Sequence, residues 1–266
     1  MSENKITHIV PLYNFQSDEE SVKLNDRMCL RHVRLNELNH FKENVPFLEH
    51  AGTPSAMLLP HLKHVLEIQT ESLLNALENA NIAITALRLL KQGEVDFSYV
   101  FSLKNNEVFS IAGPKSEIIL STNPYFLKKK EIDDFTSMWK KLQNVKAEKT
   151  HLTFPLVQFN KGFEEKLDED KIVDFMTTFE SLIFHKERRT IQPAGKVIGI
   201  AIGMLLGKNE KERMKIKKTL TKAYEIRNAK VHGNLKKLMK HQKAVHEVSI
   251  SVENNLRHVL KKFVEE

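Results

Sequence analysis

The sequence predicts an α+β fold, with a mixed α/β module over residues 1–127 followed by an all-α helical bundle over 128–266. Three observations carry this reading. Short apolar segments with strand-like alternation, punctuated by Pro, Gly and Asn turns, are confined to the first half, whereas the second half is spaced at three and four residues. A hydrophobic fraction of 41% over 266 residues argues for a folded globule with a real core and against disorder. Charge divides in the same way: residues 1–150 carry 18 Lys/Arg against 19 Asp/Glu, and residues 151–266 carry 23 against 15.

Residues 6–15 (ITHIVPLYNF) predict an extended opening segment interrupted by Pro11. Residues 28–38 alternate apolar and basic side chains, the period of a half-buried strand, with Arg31 and Arg34 on its solvent face. Thr53, Pro54 and Pro60 predict turns. Leu73–Leu90 has helical apolar spacing and Gly93 as its stop. Residues 95–103 and Glu107–Ala112 then predict two strands of a hairpin joined by Lys104, Asn105 and Asn106. Gly113 and Pro114 end it, and residues 116–120 predict an edge strand. His61 and His64 stand three apart, but nothing nearby completes a metal shell, and a structural or surface role is the expectation.

Asn123, Pro124 and Tyr125, followed by Lys128 to Lys130, mark the expected boundary. Amphipathic helices are predicted over 132–145 and 168–184, the latter with acidic residues in its first turn, and 152–163 is a short apolar-periodic segment between them. Gly195, Gly199, Gly203 and Gly207 recur every four residues along one helix. A glycine stripe of that kind implies an unusually close neighbour, either a helix of the same chain or a second protomer. Residues 210–226 predict a long basic helix and 245–264 a last amphipathic one. There is no repeat and no low-complexity tract.

Cys29 is the only cysteine, so no internal disulfide can form and a reducing compartment is expected. The N-terminus lacks the apolar core of a signal peptide. The longest apolar run, residues 197–207, is far short of the ~20 residues that span a bilayer. These features predict a cytoplasmic protein with no membrane partner. The net charge of +7 is concentrated in residues 208–243, where 13 basic residues face 3 acidic ones, the footprint of a polyanionic partner. A solvated helix face is the competing reading.

Inside that basic window lies A-Y-E-I-R-N-A-K-V-H-G, residues 223–233. Arg227, Asn228 and His232 form an R-N-x-x-x-H pattern closed by Gly233, which suits the left-handed position after a helix end. Asn228 and His232 stand four apart and share a helix face, whereas Arg227 lies about 140° away from His232. The spacing alone is weakly specific, since Arg27 and His32 repeat it and Arg34 and His40 nearly do. In those cases an apolar residue follows the arginine, and no long helix delivers the pair.

On these residues the segment 168–233 resembles a HEPN domain, and within that family the ApeA-like subgroup. The matching stretches are DFMTTFESLIF, VIGIAIGMLLG and KAYEIRNAKVHG, the last being the most specific motif of the family. Some members carry basic residues along the middle helix; here Lys196 is basic, and Ala201 further along is not. The resemblance implies an endoribonuclease that works without metal or other cofactor, of the sort used in prokaryotic antiviral defence or toxin-like RNA restriction. It also implies a homodimer whose two motif helices face each other, so that Arg227 of one chain serves His232 of the other. Arg227, Asn228 and His232 are then the candidate catalytic residues. Lys230, Lys236 and Lys237 are the candidate RNA-binding residues, and no residue is assigned to a metal.

The chemistry suits the residue types. Histidine exchanges a proton near neutral pH and can act as acid or base. Arginine is permanently charged and its fork matches phosphate oxygens. Asn228 can hydrogen-bond phosphate or fix the His232 ring. Two other readings stay open: a non-catalytic HEPN module that binds RNA, a nucleotide or a protein partner, and an ordinary helix end with Arg227 paired to Glu180 or Glu225. The first 127 residues hold no catalytic constellation and are expected to recognise or regulate, which leaves room for a regulatory protein partner.

Overall fold

Residues 7–12 read THIVPL, apolar on both parities from Ile9 onward, and such a strand belongs inside a sheet covered on both faces. The computed structural model, which describes residues 6–43, 62–113, 123–184 and 193–266, places β1 (Thr7–Leu12) there. With β3 (Ser21–Asn25), β4 (Met28–His32), β5 (His64–Gln69), β6 (Val100–Lys104) and β7 (Glu107–Ala112), it forms a six-stranded antiparallel sheet in the order β3-β4-β5-β1-β6-β7. The short β2 (Phe15–Ser17) pairs in parallel with β8 (Tyr125–Leu127), which lies beside the boundary expected at 127/128.

Pro11 is tolerated in this central strand for a geometric reason. Tyr13 exchanges both backbone bonds with Asp96, so the odd-numbered amides of β1 point toward β6. β6 pairs with β1 only at Thr7, His8 and Ile9, and Pro11 sits where that pairing has ended. One face of the sheet packs Ile9, Tyr13, Val65, Phe101 and Leu103 against Phe41 of the helix α1 (Leu35–Glu43). Residues of the other parity, among them Val10, Leu12, Leu66 and Ile68, are buried on the face that α2 (Leu73–Leu90) covers.

The strand expected over 28–38 is corrected. β4 stops at His32 because Glu37 turns the chain into α1: its carboxylate accepts the Arg34 N–H at 2.8 Å, the second half of a capping box. The same carboxylate is bonded to Arg31, which Glu67 holds from the other side at 2.7 Å. Arg31 is therefore buried, at 6% exposure, and is not on a solvent-facing sheet surface; Arg34 is the exposed one. Burial pushes the Glu37 carboxyl up, yet Arg31 and the Arg34 N–H hold it below the ordinary carboxylate value.

The strand expected from 95 begins at Val100. Before it, the Val95 carbonyl accepts from the buried Arg88 guanidinium of α2, and Asp96 bridges to Tyr13. Asn105 and Asn106, at φ 53° and 66°, close the β6–β7 hairpin as a type I′ turn. His64 opens β5, so it is on a strand and not a helix, and its partner in the metal spacing, His61, lies outside the described residues. So do the turns at Thr53, Pro54 and Pro60 and the edge strand at 116–120.

The chain forms two compact units, Met1–Lys140 and Lys141–Glu266, the divide falling inside α3 (Ile132–Glu148). In the second unit α4 (Thr153–Lys161) accommodates Pro155 in its first turn, and α5 (Asp168–Ile183) starts on Asp168, Glu169 and Asp170. α5 buries Ile172, Phe175, Met176 and Phe179 among α4, α7 (Glu210–Val231) and α9 (Val245–Glu265). The glycine stripe of α6 (Ala194–Leu206) has its partner in the same chain. A Cβ at Gly195 would meet Tyr224 at 2.5 Å, at Gly199 the Lys217 carbonyl at 3.0 Å, and at Gly203 the Arg213 carbonyl at 2.9 Å, all on α7. Gly207 lies just past the helix and not in it. Among the described residues no helix is long and apolar enough to cross a membrane.

Candidate functional site

α7 is amphipathic in a limited sense: Leu220, Ala223, Ile226 and Ala229 are buried, and most of what remains is basic or polar. It begins at Asn209, whose side chain accepts from the Glu212 N–H at 2.9 Å, and runs until the chain turns at Gly233. Gly233 adopts φ 64°, the Gly233 N–H bonds to the Lys230 carbonyl at 3.1 Å, and the Asn234 N–H to the Ala229 carbonyl at 2.7 Å. This pair of bonds is a Schellman motif, the left-handed stop expected of the glycine. Asn234 then caps α8 (Leu235–His241) by accepting from the Lys237 N–H at 3.0 Å.

The reversal at 232–234 creates a cleft of about 520 Å³. The end of α7 lines one wall with Glu225, Asn228, Ala229 and His232; Asn234, Lys237 and His241 line the other. Residues 225, 228, 229 and 232 form one stripe of an α-helix, and 237 and 241 another, so each wall follows from helical spacing. The volume is in the usual range for a small-molecule or nucleotide subsite. His232 is exposed, Asn228 and His241 are half-buried, and Glu225 Oε2 lies 3.9 Å from His241 Nε2.

Arg227 is elsewhere. Its guanidinium donates to Glu180 Oε2 of α5 at 3.2 Å and to Asn228 Oδ1 at 3.1 Å, and it lies over the Tyr224 ring at 5.6 Å. Its buried Nε has no partner among the described residues. Tyr224 has its hydroxyl pushed up by burial and by the Glu180 carboxylate beside it. Arg227 thus reaches the cleft indirectly, by fixing the amide of Asn228. The divergence expected from helix geometry is what the structure has.

Of the other candidates, Lys230 faces α5, where it pairs with Asp170 at 2.9 Å. Lys236 is exposed, outside the cleft lining, and Lys237 is in it. The structure therefore brings together Asn228, His232 and Lys237, and leaves Arg227, Lys230 and Lys236 outside. Sequence reasoning did not single out Glu225, Asn234 and His241 as site residues. Glu225 is legible as the i−7 member of the His232 stripe, but His241 needs the chain reversal to become a neighbour. Among the described residues no group of three or more His, Cys, Asp or Glu is placed to hold a metal ion.

No protein-family model, no curated protein and no solved structure matches this chain.

Proposed function

We propose that this protein is an endoribonuclease of HEPN type, acting in the cytoplasm on RNA that binds across the C-terminal end of α7. The observation that carries the reading is the cleft in which Asn228, His232 and Lys237 converge within the most basic stretch of the chain. His232 exchanges the proton, Asn228 holds the phosphate or the imidazole, and lysines of α8 neutralise the backbone. The reaction asks for nitrogen acids and bases and not for a metal. Arg227 of one chain is absent from its own cleft, which supports a site completed by the motif helix of a second copy across a two-fold axis. Exposed Val231, Leu235 and Met239 beside the motif give such a copy apolar surface to meet.

A second reading has its own observation. The Arg227–Glu180 pair is what a structural helix end would display, and it suits a non-cleaving module that binds RNA, a nucleotide or a protein. One experiment separates the two. Purified protein is incubated with total RNA in EDTA, wild type beside His232→Ala. Cleavage to 2′,3′-cyclic phosphate ends is expected for the wild type, and a loss of about a hundredfold to ten-thousandfold for the variant, with an unchanged melting temperature. Binding without cleavage by the wild type favours the second reading. The first unit is proposed to recognise or regulate: a fragment of residues 128–266, which keeps α3 whole, should retain cleavage, and an inert but folded fragment would end that division of labour.

A further inference from the structure

A single histidine can give or take a proton, but transesterification at phosphorus requires both events in one turnover. The cleft contains a second imidazole. His241 closes α8 and lines the same wall as Lys237, one turn earlier on that helix. Opposite, on α7, Glu225 and His232 stand seven residues apart on one face. The Glu225 carboxylate, 3.9 Å from His241 Nε2, occupies the place of a counter-ion to a protonated imidazole. Among the described residues no carboxylate pairs with His232, which is exposed and lines the same cleft.

From this arrangement we infer that His241 is the general acid of the proposed cleavage, that Glu225 is its positioning residue, and that His232 is the base. This assignment rests on the ribonuclease reading and makes the proton transfers the work of one chain. The step balances without water or a redox partner. A ring nitrogen of His232 takes the proton of the ribose 2′-hydroxyl as the 2′-oxygen bonds to phosphorus. The bond from phosphorus to the 5′-oxygen breaks, and that oxygen receives the proton of His241. The products are a 2′,3′-cyclic phosphate and a free 5′-hydroxyl. One imidazole has gained a proton and the other has lost one, and exchange with solvent resets both. Lys237, on the α8 wall with His241, is the cation in the lining that would offset negative charge on the non-bridging oxygens. The two walls are held at their spacing by the Schellman turn at Gly233, which is why the acid follows the base by only nine residues.

The test uses full-length protein and the RNA bond that the wild type cuts, mapped first from total RNA. Two versions of that RNA are compared, one natural and one with sulfur in place of the bridging 5′-oxygen, whose thiolate departs without a proton. Wild type is run beside His241→Gln, Glu225→Gln and His232→Ala. His241→Gln should lose about a hundredfold or more on the natural RNA and recover most of that loss on the sulfur RNA. Glu225→Gln should show the same pattern at smaller size, and His232→Ala should lose activity on both. A merely structural role for His241 would depress both substrates alike, and that result, or a His241→Gln variant at the wild-type rate on natural RNA, overturns the assignment. Wild-type protein that cuts no RNA overturns the ribonuclease reading beneath it, an outcome distinguishable from the other two.

Discussion

Arg31 in the first unit and Arg227 in the second are both held by glutamates, and they differ in what is left over. Arg31 is buried and placed between Glu37 and Glu67, with the His32 carbonyl as a further acceptor at 2.8 Å. Its donors are spent on joining β4, β5 and the first turn of α1. Arg227 keeps about a fifth of its side chain exposed, holds one glutamate at 3.2 Å, and leaves its Nε without a described partner. The histidines divide by exposure. His64 is 2% exposed among the rings of Phe15 and His32, with both nitrogens unpartnered among the described residues, whereas His232 stands open at a cleft. Polar groups of the first unit are either spent on architecture, as at Arg31, or sealed from solvent, as at His64. Those at the end of α7 are positioned and still have bonding capacity to offer, and this is the better guide to where chemistry can occur.

The largest effect should come from breaking the Arg31 cluster. Glu37→Ala leaves a buried guanidinium short of a carboxylate and removes the cap of α1, and should destabilise by about 3–5 kcal/mol. Chemical denaturation of the variant measures it, and cleavage per folded molecule should not change. The Glu37 carboxyl lies below its unfolded value of 4.5, so its contribution is present above that pH and is lost as pH falls through the folded value.

His64 sharpens the contrast through pH. Burial first, then the charges of His32 and Lys63, push its imidazole down from 6.5 to about 4. The folded state binds the proton less well than the unfolded chain, so stability is complete above 6.5 and falls until pH reaches about 4. A depression of that size amounts to roughly 3 kcal/mol over the window. His64→Leu, apolar and of similar bulk, should flatten the melting temperature between pH 7 and 4.5. An unchanged acid slope would show that some other group is responsible.

Gly199→Ala tests the close approach of α6 to α7. The added Cβ would sit 3.0 Å from the Lys217 carbonyl, and overpacking of that kind costs about 1–3 kcal/mol. Because α7 carries both cleft walls' geometry through Gly233, a shift of α7 should lower cleavage beyond the loss in stability; activity that only tracks the folded fraction would argue otherwise. The smallest effect is expected for Lys230→Ala. Its pair with Asp170 is only partly buried, with both side chains at 29% exposure, so a loss below about 1 kcal/mol is expected. If RNA binding at moderate salt also holds, Lys230 is a tie between helices and not a phosphate contact.

Much of this was legible in order along the chain. Leu73–Leu90 and its stop, the Asn105-Asn106 turn, the acidic start of α5 and the left-handed Gly233 are all local matters of propensity, capping and backbone conformation, and the sequence by itself determines them. So is the divergence of Arg227 from His232, because helix periodicity admits no other arrangement within one chain. What only the tertiary structure decided depends on partners distant in sequence. Alternating residues 28–38 look like one strand until Glu67, on β5, and Glu37 both close on Arg31, and Glu37 caps the start of a helix. Pro11 is admissible in a central strand because β6 happens to stop pairing at Ile9. The glycine stripe specified a close neighbour but not whose, and Tyr224, Lys217 and Arg213 answer that from α7. His241 becomes a site residue because the chain folds back at Gly233 and brings a second short helix alongside the first, a proximity that no periodicity along either helix encodes.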